Sequence, residues 1–199
     1  METKLVIEGG RKLKGEVEIS GSKNACLPIL AATLLTDEPC RIMAVPELRD
    51  IKTMLEILQL LGKKVQVEKN VVTIAPTKSH GFTANYELVK TMRASFCVLG
   101  PLLAKERQAK VSYPGGCVIG DRPIDIHLRG FEALGAKIST GSGYVVAKAP
   151  KLKGSYIYLG GHFGPSVTGT ANVMMAATLA KGTTMIEGAA CEPEVEVGV

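Results

Sequence analysis

One stretch concentrates the chemistry of this chain: Tyr113-Pro-Gly-Gly-Cys-Val-Ile-Gly-Asp-Arg-Pro-Ile-Asp-Ile-His127. Glycines 115, 116 and 120 surround Cys117, so the backbone there can come close to a ligand. Arg122 and Arg129 would lower the thiol pKa, and Arg122 leads into a helix whose N-terminus, at Pro123, favours anions. A thiol so placed can exchange a proton near neutral pH. Asp125 and His127 fall within about one turn of that helix start and offer donors or acceptors to a polar ligand. The same letters also fit a loop that carries an incidental cysteine.

Three further stretches invite the same pair of readings. In Ser20-Gly-Ser-Lys-Asn-Ala25 a glycine turn delivers Lys23 and Asn24 to the opening of an apolar helix, where a lysine can meet a phosphate or carboxylate, or be a solvated surface residue. Arg93, in Lys90-Thr-Met-Arg-Ala-Ser95, stands near the start of another apolar helix. The third is Gly160-Gly-His-Phe-Gly-Pro-Ser-Val-Thr-Gly-Thr-Ala-Asn172, rich in glycine and hydroxyl groups, which also precedes a helix. His162 within it is read as surface or packing.

The elements that must position these residues follow from the hydrophobic pattern. Residues 15–19 alternate like a strand, and 24–35 form an apolar helix opened by Ser22 as N-cap. A strand at 40–45 leads to a helix at 46–61, with Leu48, Ile51, Met54, Leu55, Leu58 and Leu61 on one face and Gly62 as stop. Two strands, 65–68 and 71–75, join across Lys69-Asn70. Helices at 88–104 and 123–134 and a hairpin around Gly141-Ser-Gly143 repeat this plan.

The plan repeats because the sequence does. Leu30-Ala-Ala-Thr-Leu resembles Met175-Ala-Ala-Thr-Leu179, and Leu134-Gly-Ala-Lys-Ile138 echoes Leu61-Gly-Lys-Lys-Val65. A unit of about 70 residues thus occurs nearly three times, at about 15–78, 79–150 and 151–199. The third stops after Glu192-Pro-Glu-Val195, where the first continues into a helix and hairpin, so the last unit reads as truncated.

Composition excludes several classes. The chain has 199 residues, 46% hydrophobic and 22% charged, enough for a core without disulfides or a structural metal. Its formal charge of +5 is scattered, and aromatic residues are only 5%, which argues against nucleic-acid binding and suits small anionic ligands. No apolar run approaches the ~20 residues that span a bilayer, and the start lacks the pattern of a signal peptide, so no membrane partner and a cytoplasmic location are expected. Cysteines 26, 40, 97, 117 and 191 form no C-x-x-C pair. All but Cys117 are read as buried small hydrophobes.

Taken together, Gly21-Ser-Lys-Asn24, Thr91-Met-Arg-Ala-Ser95, Pro114-Gly-Gly-Cys-Val-Ile-Gly120, Arg122-Pro-Ile-Asp-Ile-His127 and the 176–179 and 192–194 stretches resemble the enolpyruvyl transferases. The loop cysteine followed by Arg-Pro-x-Asp-x-His points to the branch whose acceptor is a sugar nucleotide, whereas Ser-Lys-Asn is shared with shikimate-pathway relatives. A 3-phosphoshikimate 1-carboxyvinyltransferase-like enzyme and a non-catalytic, repeat-built binding domain are the alternatives.

The resemblance implies transfer of enolpyruvate from phosphoenolpyruvate to the 3-hydroxyl of UDP-N-acetylglucosamine, with phosphate release and without metal or organic cofactor, at a committed step of peptidoglycan synthesis. It implies Cys117 as the catalytic proton donor, open to alkylation by fosfomycin. Lys23, Asn24 and Arg122 would bind phosphoenolpyruvate. Asn24, Arg93, Arg122, Pro123, Ile124, Asp125, Ile126, His127, Gly164, Pro165, Ser166 and Val167 would bind the sugar nucleotide. The implied fold is an inside-out α/β barrel of βαβαββ repeats, helices inside and sheets outside. Residues 21–199 would form its first domain, and residues 1–20 would pair with a second domain that this chain lacks. That domain is the expected structural partner, and turnover by this chain alone is not expected.

Overall fold

A computed structural model describes residues 4–79, 81–90, 92–114, 124–162 and 164–196. The first repeat contains α1 (Lys23–Ala32), β1 (Cys40–Ile42), α2 (Arg49–Leu60), β2 (Lys63–Glu68) and β3 (Val71–Pro76). The second contains β4 (Thr83–Ala84), α3 (Tyr86–Val89), α4 (Leu99–Glu106), β5 (Gln108–Ser112), α5 (Asp125–Ala133), β6 (Lys137–Gly141) and β7 (Tyr144–Lys148). The third contributes β8 (Tyr156–Tyr158), α6 (Val167–Ala177), β9 (Met185–Glu187) and the short α7 (Pro193–Glu196).

Two of the sheets share one strand order. The first sheet has the order β1-β3-β2 and the second β4-β5-β7-β6, so β1-β3-β2 and β5-β7-β6 are the same antiparallel arrangement. In the second and third repeats a strand, a helix and a parallel strand recur as β4–β5 and β8–β9. Matching local chemistry supports each copy. Ser22 and Ser166 cap α1 and α6, each hydroxyl accepting from the amide three residues on, Ala25 N at 3.3 Å and Gly169 N at 3.1 Å. Gly62 and Gly135 follow α2 and α5 at φ +93°, a left-handed conformation that a side chain would strain. After α5, Gly135 N donates to Glu132 O and Ala136 N to Phe131 O, which satisfies the helix's last carbonyls.

The three sheets are open, and the fold is mixed α/β. Helices pack on one another: α6 touches α1, α4 and α5, and α1 lies on α2. Each sheet turns alternate residues to this helical layer, Val72 and Ile74 from β3, Ala109 and Val111 from β5, Val145 and Ala147 from β7. One continuous core runs from Cys26 to Ala176 through all three repeats.

Three expectations need correction. Residues 15–19 form no strand; 4–20 run without regular structure, with Leu5, Ile7, Leu13, Val17 and Ile19 more than 80% exposed. Alternation supplies a strand's faces but not its hydrogen bonds, and no described sheet pairs with this segment. The expected helix at 88–104 is broken into α3, a 3-10 stretch at Arg93–Val98 and α4. Pro101, in the first turn of α4, has no N–H for Cys97, and a side chain from α6 interrupts the ladder just before it, as described below. Finally, among the described cysteines only Cys26 and Cys97 are buried; Cys40 is half-buried and Cys191 exposed, because an apolar neighbour in sequence does not place a residue on the inner face. Among the described residues no helix is long and apolar enough to cross a membrane.

Candidate active site

The sequence-predicted site residues share one structural address. Lys23 opens α1, Arg93 the 3-10 stretch, Asp125 α5 and Val167 α6, so each stands in the first turn of a helix, where the dipole is positive. Cys117, Arg122 and Pro123 lie outside the described residues.

At α1, Gly21 is pressed against the Ala44 carbonyl, with no room for a Cβ. This close approach sets the turn that leads to the Ser22 cap. Lys23 Nζ meets Asp50 Oδ2 of α2 at 2.9 Å, both side chains partly exposed. Asp50 was not foreseen: a carboxylate 27 residues away gives no local signal. Asn24 is exposed, and Pro28, within α1, has no N–H to offer its carbonyl.

Residues 124–127 and 164–167 are brought together by Ile126. Its side chain lies against the Gly161 and Gly169 backbones; a Cβ on either would come within 2.8 Å and 3.0 Å of it. Arg129 Nη2 reinforces the contact by donating to Gly160 O at 2.8 Å, so this arginine is spent on the turn before α6. That turn is closed by reciprocal bonds between Gly161 and Gly164, with Gly164 at φ +87°. Pro165 is exposed beyond it, while Ser166 and Val167 are half-buried as the cap and first residue of α6. Asp125 is exposed, Ile124 half-buried.

His127 is placed differently from what its sequence position implies. Only 3% of it is exposed, and it packs edge-on against Phe96 at 5.3 Å between ring centres. Its Nδ1 lies 3.0 Å from Asn172 Nδ2. Burial pushes its pKa down to about 3, with the nearby Arg93 guanidinium acting in the same direction, so the ring is neutral at pH 7. Arg93 and His127 are therefore neighbours. Asn172 was read only as the end of a glycine-rich motif; nothing in its sequence surroundings marks it as His127's partner.

What this arrangement can do is hold an anionic, oxygen-rich ligand. It offers helix N-termini, exposed Lys23, Asn24 and Asp125, and the Arg93 cation near the neutral His127 ring.

Comparison with known proteins identifies the family and the fold. The EPSP synthase (3-phosphoshikimate 1-carboxyvinyltransferase) family matches residues 7–199. The UDP-N-acetylglucosamine 1-carboxyvinyltransferase of Methylacidiphilum infernorum is 59% identical over 97% of this chain and 46% of its own length. That of Carboxydothermus hydrogenoformans, designated 2, is 56% identical over 96% of this chain and 45% of its own length. The chain thus spans about half the length of the curated relatives it matches. Among solved structures, the enolpyruvyl transferase NikO from Streptomyces tendae superimposes with TM-score 0.80 over 96% of this chain and 44% of its own, at 20% identity. An EPSP synthase from Acinetobacter baumannii gives 0.71 over 94% and 44%, at 19% identity. These two likenesses concern the fold.

Proposed function

We propose, on the premise that this chain belongs to the EPSP synthase family, that it supplies the phosphoenolpyruvate- and sugar-nucleotide-binding wall of an enzyme transferring enolpyruvate to the 3-hydroxyl of UDP-N-acetylglucosamine. The carrying observation is the Ile126 contact, which sets the 124–127 segment against the turn leading into α6. Two stretches from adjacent repeats thereby form one surface, as a ligand the size of a sugar nucleotide needs. Relatives 54–59% identical to this chain over the aligned residues are named for that activity, whereas the solved EPSP synthase is only 19% identical. The shikimate-type alternative is correspondingly distant.

In this reading Lys23, Asn24 and Arg122 bind the phosphate and carboxylate of phosphoenolpyruvate, since cations are needed where negative charge develops. Lys23 is already charged and ion-paired, so it exchanges or shares Asp50 when the anion arrives. Cys117 is the acid that protonates the methylene carbon of phosphoenolpyruvate and the thiol that fosfomycin alkylates. Arg93, Asp125, the 122–127 run and the 164–167 turn contact the sugar nucleotide, His127 entering as a neutral ring.

The finer architecture belongs to the same proposal: helices inside, sheets outside, as one half of an inside-out barrel. Residues 1–20 pair with a second domain that closes the cleft and excludes water. The enzyme is cytoplasmic, a peptidoglycan-synthesis transferase that needs neither nucleic acid nor membrane as partner.

The test is calorimetric titration of this chain with UDP-N-acetylglucosamine and, separately, with shikimate 3-phosphate, alongside fosfomycin labelling of wild type and Cys117→Ser. The reading expects binding of the sugar nucleotide alone and labelling that the substitution abolishes. Preference for shikimate 3-phosphate, binding of neither, or labelling that survives Cys117→Ser would overturn it.

A further inference from the structure

We propose that Asn172 is a positioning residue that fixes His127 in its Nε2-protonated tautomer and anchors the 124–127 segment to the third repeat. The tautomer assignment stands on geometry; its bearing on substrate rests on the function proposed above.

Asn172 is fully buried in the middle of α6, and its carboxamide has three partners. Its Oδ1 accepts from Gly100 N at 2.7 Å, its Nδ2 donates to Phe96 O at 3.0 Å, and Nδ2 also lies 3.0 Å from His127 Nδ1. Gly100 N–H and Phe96 C=O are the pair that would bond to each other, four residues apart, in an uninterrupted helix. The carboxamide has inserted itself between them, which is why the expected long helix is 3-10 up to Val98 and α-helical from Leu99. Gly100 is what admits it, because a Cβ there would overlap the Asn172 carbonyl and carboxamide oxygens.

Backbone groups have fixed roles: Gly100 N–H can only donate, Phe96 C=O can only accept. They therefore settle which end of the carboxamide is oxygen. Nδ2 must be the amino group, one hydrogen goes to Phe96, and the other points to His127 Nδ1. Nδ1 must be the bare acceptor, and the neutral ring carries its proton on Nε2. Phe96 sets the plane of the ring, at 82° to its own. Arg93, the charged group acting on the ring, disfavours a second proton.

The consequence is chemical. At neutral pH His127 can donate from Nε2, but it can be neither a base nor a cation. Any ligand atom it meets is an acceptor oxygen, of a carbonyl, hydroxyl or phosphate group.

The test is long-range proton–nitrogen correlation NMR of the full, ligand-free chain labelled with 15N-histidine, with His127 assigned by loss of its signals in His127→Gln. Expected is a bare Nδ1 and a protonated Nε2, unchanged from about pH 8 to about pH 5. A proton on Nδ1, or a ring that titrates in that range, would overturn the proposal. Asn172→Asp removes the donor and offers an acceptor instead, so His127 in that variant should take up a second proton at neutral pH. A variant ring that keeps the wild-type tautomer would also overturn it; if the variant does not fold, the wild-type spectrum decides. No ligand enters the measurement, so failure to bind UDP-N-acetylglucosamine would count against the proposed function and leave this result intact.

Discussion

Gly130 of α5 and Val173 of α6 are packed so closely that a Cβ on Gly130 would overlap a Val173 methyl group. Val173 is fully buried and has nowhere to move. Gly130→Ala should therefore destabilise the fold by about 1–3 kcal/mol through overpacking, despite alanine's better helix propensity. Val173→Ala in the same chain should recover a large part of that loss. Urea denaturation of the two single variants and the double variant measures the coupling; additive effects would show that the contact is not what limits the site.

Gly21 presents a harder constraint, because its neighbour is backbone. The Ala44 carbonyl cannot rotate away like a side chain, and Ala44 is itself held at φ +55°. Gly21→Ala should cost about 2–4 kcal/mol and should weaken phosphoenolpyruvate binding by displacing the Ser22 cap and Lys23. A variant with wild-type melting temperature and affinity would show that the turn tolerates a side chain at this position.

Lys23 and Asp50 form a surface pair, and such pairs contribute at most about 1 kcal/mol. Asp50→Asn should leave the melting temperature nearly unchanged. By ending the competition for Lys23 it should tighten phosphoenolpyruvate binding, and the gain should shrink as salt is raised. Weaker binding in Asp50→Asn would instead make Asp50 part of the binding surface.

Acid should destabilise the protein through His127. Its folded pKa, about 3, lies below the ordinary value of 6.5, so its contribution is fully present above about pH 6.5 and is lost as pH falls toward 3. Melting temperatures recorded from neutral pH to about pH 4 should fall, and the slope should flatten in His127→Gln. An equal slope in both proteins would assign the acid loss to other groups.

The thiols should divide by burial. Burial raises Cys97 to about 12 and Cys26 to about 11, whereas Cys191 is exposed. A thiol reagent at pH 8 should label Cys191 in the native protein and reach Cys26 and Cys97 only after denaturation. Because the folded pKa values are raised, the stability these two thiols contribute is complete below their ordinary value of 9.0 and falls as pH rises through the folded values. Rapid native labelling of Cys97, followed by peptide mapping, would contradict its burial.

What could be read from the letters was what neighbours in sequence decide. The Ser22 cap, the hairpin turns at Lys69-Asn70 and Ser142-Gly143, and the glycine stops after α2 and α5 each depend on a few consecutive residues, and each formed as expected. The recurrence of these signals pointed to the mixed α/β plan, and the family resemblance rested on short motifs of the same kind. The tertiary structure alone decided the rest. Residues 15–19 have a strand's alternation, but a strand also needs an edge to pair with, which alternation does not encode. The break at 93–98 is made by Asn172, a side chain more than 70 residues downstream. His127 is a buried ring, kept neutral by burial and by Arg93, with the same carboxamide against its Nδ1. A polar group enters a core only where its partners converge in three dimensions, and that convergence is written in no single stretch of the chain.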